Sequence, residues 1–289
     1  PLRALREADV PAAAMAGDAD AVRRLIDLGL PVDAQGCTGL LRAAGGGHVA
    51  TVDLLLARGA DPQHAAASGA TPLAAAVSMR QAGIVTVLML AAALGLPDIV
   101  AKLLTAGADV HAGDDQQLAP LHCAALYGFT ARDRSRLLAL LDTLLLAGAE
   151  ADQPSAGTVT PLLLLGARAE PGTACDEQVV LAAVERLLDE DVALDVRDPR
   201  GFGPLHLAAL HGLPLLVQRL LRAGADPDLR DALGRSPREI AVMRGFIDVA
   251  DTVLGKSRRS SRPSRGKGLA GKRLLGSRTC LSWIRAPTK

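Results

Sequence analysis

The sequence predicts an all-α solenoid built from stacked helix pairs, and three observations support this. Openings related to Pro-Leu-His-x-Ala-Ala and closes of the form Gly-Ala-Asp recur along the chain, and three of the six intervals between openings are 33 residues. Apolar residues between them recur at offsets of three and four, the period of an amphipathic helix. Hydrophobic residues make up 49% of the 289 residues but aromatic residues only 2%, whereas globular cores normally rely on aromatic bulk. A fixed period of this length is typical of repeat architectures.

The clearest unit of this pattern is residues 203–235. Pro204 suits the first turn of a helix, where its fixed φ is already helical and its missing N–H would lack a partner. Gly212 ends that helix, and an apolar stripe predicts a second helix over about 213–222. Gly224 then supplies the left-handed backbone that a helix end commonly needs. A polar run returns the chain as an extended turn.

These motifs resemble the ankyrin repeat, whose opening T-P-L-H-x-A-A-x-x-G and close L-L-x-x-G-A-D fall in register here. The resemblance covers roughly residues 8–255, including a degenerate capping repeat at the front. It implies seven or eight helix pairs joined by hairpin-like turns, with residues 1–255 as the array. The openings are at Thr38, Thr71, Thr86, Ala119, Thr160, Gly203 and Ser236, and the closes are at Gly59, Gly107 and Gly224, with a near match at Gly148.

Three intervals between openings depart from the period. The spacings are 33, 15, 33, 41, 43 and 33 residues. The long intervals predict insertions at 129–140, with a second helix over 131–146, and at 166–178, with a longer turn at 168–174. In the irregular segment 71–95, we predict one continuous buried helix from about Ala82 to Leu94. A deleted segment would produce the same spacing.

The formal charge of +1 hides a division of the chain after residue 255. Residues 1–255 carry 21 basic and 31 acidic side chains, whereas residues 256–289 carry 11 basic and none that are acidic. The tail cannot bury a core, so it is predicted to be disordered. It either binds a nuclear-import receptor or another acidic partner, or it is inert. Its densest basic cluster is Lys256, Arg258, Arg259, Arg262 and Arg265.

Catalytic and cofactor chemistry are not predicted. His122 and His206 occupy the His position of the opening motif, where the resemblance implies a structural hydrogen bond between repeats. The four cysteines are far apart with no C-x-x-C pair. They are therefore expected to be reduced thiols in a cytoplasmic or nuclear protein, with no metal and no cofactor.

Membrane and nucleic-acid partners are not expected either. The longest uncharged run, residues 81–97, has 17 residues, fewer than the roughly 20 that span a bilayer. The only aromatic residue in the tail is Trp283, which argues against stacking on RNA bases. We expect a monomer that binds proteins. The chain opens at Pro1, which leaves open whether the N-terminus is complete.

The resemblance implies a scaffold or adaptor whose partner binds the concave face of the array. Tyr127 with Phe129 is the leading anchor, because exposed aromatic side chains dominate interfaces; the alternative is that Tyr127 packs under the neighbouring repeat. The candidate residues are Arg42, Tyr127, His211, Met243 and Arg244 on helices, and Gln35, His64, His111, Asp114, Arg197, Arg200 and Arg230 in turns.

Two alternative roles concern the C-terminus. Residues 280–285 resemble the L-C-R-x-x-I-R opening of a SOCS box, the motif that joins ankyrin adaptors to cullin-type ubiquitin ligases. They keep the Cys, Ile and Arg but lack the preceding Leu and the following Arg. A truncated or chance match is therefore favoured over a working box. The other alternative is a nuclear regulator that uses the basic tail.

Overall fold

The computed structural model describes residues 6–33, 39–63, 65–67, 84–167 and 174–260. These residues form seven helix pairs and one pair of short strands. The first helices of the pairs are α1 (Asp9–Met15), α3 (Gly39–Gly45), α5 (Val87–Ala93), α7 (Pro120–Thr130), α9 (Pro161–Ala167), α11 (Pro204–His211) and α13 (Pro237–Arg244). The second helices are α2 (Ala19–Asp27), α4 (Val49–Ala57), α6 (Pro97–Thr105), α8 (Arg134–Leu146), α10 (Glu177–Leu188), α12 (Pro214–Ala223) and α14 (Ile247–Ser260).

The helices stack in two layers. Each first helix contacts the first helix of the next pair, from α1 on α3 to α11 on α13, and each second helix contacts the next second helix in the same way. We call these the first-helix layer and the second-helix layer. The core lies between them and is made mainly of Leu, Val and Ala side chains. The predicted all-α solenoid is confirmed.

Helix starts and ends follow the sequence signals. Proline occupies the first turn of α6, α7, α11, α12 and α13. Gly212 and Gly224 end α11 and α12 with φ of 70° and 105°, a region that side chains with a Cβ rarely adopt. The predicted left-handed helix end at Gly224 is therefore confirmed. Ser236 and Glu239 cap α13 reciprocally, because each side chain accepts from the other residue's backbone N–H.

The single helix predicted over residues 82–94 is wrong. Two strands, β1 (Ala65–Ala67) and β2 (Ile84–Thr86), pair in antiparallel fashion, and α5 begins only at Val87. The reason is Thr86: its backbone is extended and its hydroxyl accepts a hydrogen bond from the Met89 N–H at 3.2 Å, which is the geometry of a helix N-cap.

The helix α5 is therefore the first helix of its own pair. It packs on α3, and α6 packs on α4. The openings at Thr38 and Thr86 therefore belong to neighbouring repeats of the stack. The interval between those openings is 48 residues, and residues 68–83 within it lie outside the described residues. The opening at Thr71 lies outside the described residues.

The extra residues of the first predicted insertion lie partly in other elements than predicted. The helix expected over 131–146 begins at Arg134, because the Asp133 carboxylate accepts from the Arg136 N–H at 3.0 Å and caps it. The insertion over 129–140 instead lengthens both helices of this pair, since α7 continues to Thr130. Of the insertion over 166–178, residues 168–173 lie outside the described residues.

The helix α14 spans Ile247–Ser260 and so crosses the boundary predicted at residue 255, which stays a prediction. Val249, Ala250 and Val253 are buried along one side of this helix, and the next proline in the sequence is Pro263. Lys256, Arg258 and Arg259 therefore belong to α14. Arg262, Arg265 and the SOCS-like residues 280–285 lie outside the described residues.

Candidate functional site

The turns before the first helices are built on one recurring hydrogen-bonding pattern. The Asp198 carboxylate accepts from the backbone N–H groups of Arg200 and Phe202, both at 2.9 Å. Asp231 accepts in the same way from Leu233 at 2.9 Å and Arg235 at 2.7 Å. These side chains replace a backbone turn and fix where the intervening residues point.

The candidate Asp114 belongs to this pattern as well. Its Oδ1 atom accepts from the N–H groups of Gln116 and Leu118, both at 2.9 Å, so its carboxylate shapes the turn from a half-buried position. Asp114, Asp198 and Asp231 each stand five residues before an opening. That regular spacing is the sequence signal that could have identified all three as turn-forming residues.

Three of the predicted turn residues come together in the structure. The Arg197 guanidinium donates from Nη1 to the backbone carbonyl of Arg230 at 3.3 Å. The backbone N–H of Ala232 donates to the carbonyl of Arg200 at 3.0 Å, which joins the two neighbouring turns. Sequence analysis missed a fourth member, Arg235. We call Arg197, Arg200, Arg230 and Arg235 the arginine cluster.

The Phe202 ring, buried to 6% exposure, lies beneath the arginine cluster. The Cζ atoms of Arg200 and Arg235 are 4.7 Å and 5.8 Å from its centroid, within the range of cation–π attraction. The His206 ring stacks on it at a centroid distance of 5.5 Å. A buried aromatic residue therefore fixes the position of two guanidinium groups on neighbouring turns.

Buried carboxylates hold the same two arginines from below. Arg200 pairs with Asp198 at 2.6 Å, and Arg235 pairs with Asp231 at 2.7 Å; the two carboxylate side chains are only 4% and 0% exposed. Burial alone would raise the pKa of Asp231, but hydrogen bonds from Arg235 and Leu233 outweigh it and lower that pKa. Asp231 therefore acts as an anionic anchor for Arg235, and Asp198 contacts Arg200 in the same arrangement.

His206 connects this region to the next repeat, as predicted. It is fully buried. Its Nδ1 accepts from the Gly203 N–H at 3.3 Å, so Nε2 carries the proton and donates to the Arg235 carbonyl at 3.1 Å. Burial lowers the pKa of His206, so the ring is neutral at physiological pH. His122 is equally buried, and its Nδ1 accepts from the Ala119 N–H at 3.1 Å.

The proposed aromatic anchor is not an exposed pair. Phe129 is 2% exposed, so its assignment as an exposed contact residue is wrong: it packs inside the stack against the His211 ring at a centroid distance of 4.7 Å. Tyr127 is half-buried. Its ring lies directly over Gly95 of the preceding repeat, where a Cβ would overlap it. This contact supports the alternative that Tyr127 packs between repeats.

The other predicted residues are scattered along the array. Arg42 is half-buried near one end, with Nη1 at 3.4 Å from the Met15 sulfur. Met243, at 67% exposure, and Arg244, also exposed, lie on α13 at the other end. His111 is exposed in its turn. Gln35 and His64 lie outside the described residues.

The middle of the first-helix layer carries no charged side chain. The helices α5, α7, α9 and α11 contain no Asp, Glu, Lys or Arg, whereas every second helix contains at least one. Ala93, Leu126 and Leu210 are partly exposed on these uncharged helices. We call the partly exposed side of α5, α7 and α11 the uncharged face; the residues of α9 whose exposure is described, 161–165, are buried.

Metal-binding clusters and membrane-spanning helices are both absent from the described residues. No cluster of three or more His, Cys, Asp or Glu side chains there is arranged to hold a metal ion. None of the helices in the described ranges is long and apolar enough to cross a membrane. Cys123 and Cys175 are reduced thiols, and burial raises the pKa of Cys175.

Stacked helix pairs with shaped turns and an uncharged face define a repeat protein of the kind that binds other proteins. Comparison with protein families agrees: models described as ankyrin repeats match residues 12–89 and 187–241, and a model of the single ankyrin repeat matches residues 85–115. The chain is an ankyrin repeat protein. Residues 116–186 fall between the matches, but their helix pairs stack in the same two layers. No curated protein matches the chain significantly.

Proposed function

We propose that this protein is a scaffold or adaptor that binds a protein partner on the uncharged face and the adjoining turns. Ankyrin repeats as a class mediate protein–protein interactions and are typically non-catalytic. The observation that carries the proposal is the absence of charge from α5, α7, α9 and α11. Depletion of charged residues marks the centre of protein interfaces, and here it runs through four consecutive helices of one layer.

A matched pair of substitutions tests this proposal. Ala93 on α5 is partly exposed on the uncharged face, and Ala101 on α6 is exposed in the second-helix layer of the same pair. Affinity capture with the full chain first identifies a partner. Ala93→Glu should weaken that partner's binding by at least about tenfold, because it forces a charge into the contact. Ala101→Glu should leave it within about twofold, since rim or remote charges matter little.

Thermal unfolding of both variants provides the control for folding. Ala101 is exposed, so Ala101→Glu should change stability by less than about 0.5 kcal/mol. Ala93 is partly buried against the core, so binding of Ala93→Glu is compared at a temperature at which thermal unfolding shows both variants to be folded. If both variants bind the partner as well as the parent chain does, the uncharged face is not the binding surface. Tyr127 is a poorer test residue, because its packing on Gly95 couples any binding effect to stability.

The role of the basic tail is a separate proposal. The array carries a net charge of −10 and residues 256–289 carry +11, so the tail is proposed to bind weakly to its own array and to compete with partners. Such attraction is screened over about 8 Å at physiological salt. Removal of residues 261–289 should raise partner affinity at low salt but not at high salt. Unchanged affinity at low salt would contradict it.

Localisation and the ligase alternative have direct tests. The tail motivates a cytoplasmic and nuclear distribution with an import receptor, so a fluorescent fusion of residues 256–289 should concentrate in the nucleus; a diffuse signal would contradict an import role. The SOCS-like residues 280–285 lack two positions of that motif. We therefore expect no elongin or cullin in a pulldown, and recovery that vanishes on deletion of residues 274–289 would instead establish the ligase adaptor.

A further inference from the structure

We propose that the arginine cluster is a docking site for carboxylate side chains, so that the partner segment beside these turns is acidic. This inference rests on the proposed function, since it names the chemistry of a segment that the array binds. Four guanidinium groups from two neighbouring turns meet here in an array whose residues 1–255 carry a net charge of −10. The cluster is therefore locally distinct from its surroundings.

Arg197, Arg200 and Arg230 are exposed and Arg235 is partly exposed, whereas two of the carboxylates that pair with the cluster are buried. The side chains of Arg200 and Arg230 are 51% and 56% exposed, but those of Asp198 and Asp231 are 4% and 0% exposed. An approaching partner therefore meets the positive end of each buried pair. A guanidinium group has five N–H donors, so it can donate hydrogen bonds to a buried carboxylate and to an external carboxylate at the same time.

Arg197 is the member best placed to accept a new carboxylate. It is exposed, and in the part of the chain that the structure describes its guanidinium contacts the Arg230 carbonyl and no carboxylate. Arg230 in turn pairs with Glu239 at 3.0 Å, a group that is itself 47% exposed and can be displaced or shared. Arg197 and Arg230 together therefore provide a two-residue site at the junction of two repeats.

Two members of the cluster, Arg200 and Arg235, are pre-organised, which lowers the entropy that binding would lose at their positions. The Phe202 ring fixes Arg200 and Arg235 by cation–π contact, and the two buried aspartates fix the same groups by ion pairs. Side chains that are already immobilised lose little freedom on binding. In a flexible surface patch, by contrast, each long side chain would have to be ordered by the partner.

An acidic protein segment fits this surface better than a nucleic acid does. A polyanionic backbone presents a charge at every phosphate and would meet the net negative charge of the surrounding array. A peptide with a few carboxylates can instead pair them with the four arginines and place no further charge against the array. A peptide can also place apolar side chains on the neighbouring uncharged face, which a phosphate backbone cannot do.

The test uses the full chain and three labelled probes. These are a peptide of alternating Glu and Leu, the same peptide with Gln in place of Glu, and a single-stranded oligonucleotide of equal charge. Fluorescence polarisation measures the Kd of each at low and moderate salt. We expect the acidic peptide to bind at least about tenfold more tightly than the Gln peptide, since charge-assisted hydrogen bonds are roughly twice as strong as neutral ones.

Two charge-matched double variants assign the binding to the cluster. Arg197→Gln/Arg230→Gln removes two cluster charges and should weaken the acidic peptide about tenfold. Arg24→Gln/Arg222→Gln removes two exposed charges from α2 and α12 in the second-helix layer and should change the Kd by less than about twofold. Equal effects in the two variants would show that the peptide responds only to the net charge of the protein, which would overturn the proposal.

The remaining outcomes also decide it. No binding of the acidic peptide, equal binding of the Gln peptide, or tighter binding of the oligonucleotide that is lost in Arg197→Gln/Arg230→Gln would each overturn the proposal. The scaffold function is tested independently of the acidic preference, because the Ala93→Glu and Ala101→Glu variants test it with the captured partner. A partner lost in Ala93→Glu but unaffected in Arg197→Gln/Arg230→Gln would leave the scaffold role intact and remove only the acidic preference.

Discussion

Both helix layers bury apolar side chains, but successive repeats are joined by different polar contacts in the first-helix layer and in the second-helix layer. In the first-helix layer, buried apolar side chains and a buried histidine join successive repeats. In the second-helix layer, a basic residue of each later repeat pairs with an acidic residue of the repeat before it at four junctions. These pairs are Arg58–Asp27 at 2.7 Å, Lys102–Asp53 at 2.5 Å, Arg186–Asp142 at 2.5 Å and Arg219–Glu185 at 3.6 Å.

This difference separates stability from binding in a simple way. Exposed ion pairs contribute little to stability, about 0–1 kcal/mol each, so the second-helix layer can carry charge that keeps the array soluble. The first-helix layer obtains its stability from burial and needs no charge, which leaves the uncharged face available to a partner. The contrast predicts large effects for changes inside the first-helix layer and small effects for changes among the ion pairs.

The largest effect is expected from removing a buried side chain of the first-helix layer. Leu121 on α7 is 1% exposed, and Leu121→Ala should lower the free energy of unfolding by about 2–5 kcal/mol through lost burial and a residual cavity. Leu146, at the end of α8, is 85% exposed, and Leu146→Ala should change it by less than about 0.5 kcal/mol. Urea unfolding followed by circular dichroism measures both. Similar losses in the two variants would contradict the contrast.

A smaller effect, with a distinct dependence on pH, is expected at His206. His206→Gln should cost about 1–3 kcal/mol, because buried partners lose a fitted hydrogen bond. Burial lowers the pKa of His206 in the folded state below its ordinary value of 6.5. As the pH falls below about 6.5, the unfolded chain therefore binds a proton that the folded chain does not, and stability falls.

The variant should lose this component of the pH dependence. Urea midpoints measured between about pH 7.5 and 5.5 should fall more steeply for the parent chain than for His206→Gln, while groups elsewhere titrate alike in both proteins. Parallel slopes would show that His206 takes up its proton equally in the folded and unfolded chains. In that case the neutral, repeat-joining role of the ring would be wrong.

The sequence predicted the layers better than the surface because the two depend on different information. Helix pairs follow from local signals such as Pro204 and Gly224, which act within a few residues. The prediction of one helix over 82–94 was wrong because Thr86 lies within an apolar run and caps the helix that follows it. This local cap outweighs the apolar periodicity on which the prediction was based. The exposure predicted for Phe129 failed because burial depends on the neighbouring repeat, and His211, which contacts it, is 82 residues away in sequence.

The arginine cluster illustrates the same limit at the site. Arg197, Arg200 and Arg230 were chosen from their turn positions alone, but their meeting depends on hydrogen bonds between neighbouring turns. Arg235 was missed because its role appears only through the Phe202 ring and the buried Asp231. The spacing of aspartates five residues before each opening could have indicated the shared turn, but not which arginines would gather over it.

The smallest expected effect lies in the second-helix layer, at Arg186. Its guanidinium donates to Asp142 of the preceding repeat and to Glu190 of its own helix end, and these hydrogen bonds raise the pKa of Arg186. The Asp142 side chain is 47% exposed, so solvent screens the pair. A double-mutant cycle with Arg186→Gln and Asp142→Asn should therefore give a coupling free energy of only about 0.2–1 kcal/mol.

The dependence on salt distinguishes the ion pair from apolar burial. The coupling between Arg186 and Asp142 should shrink as sodium chloride is raised from about 0.1 M to 1 M, where the screening length falls from about 10 Å to 3 Å. The loss in Leu121→Ala should persist, because burial of apolar surface involves no charge. If the coupling exceeded about 2 kcal/mol and resisted salt, the ion pairs of the second-helix layer would be structural determinants of the stack, and the division of roles between the two layers would not hold.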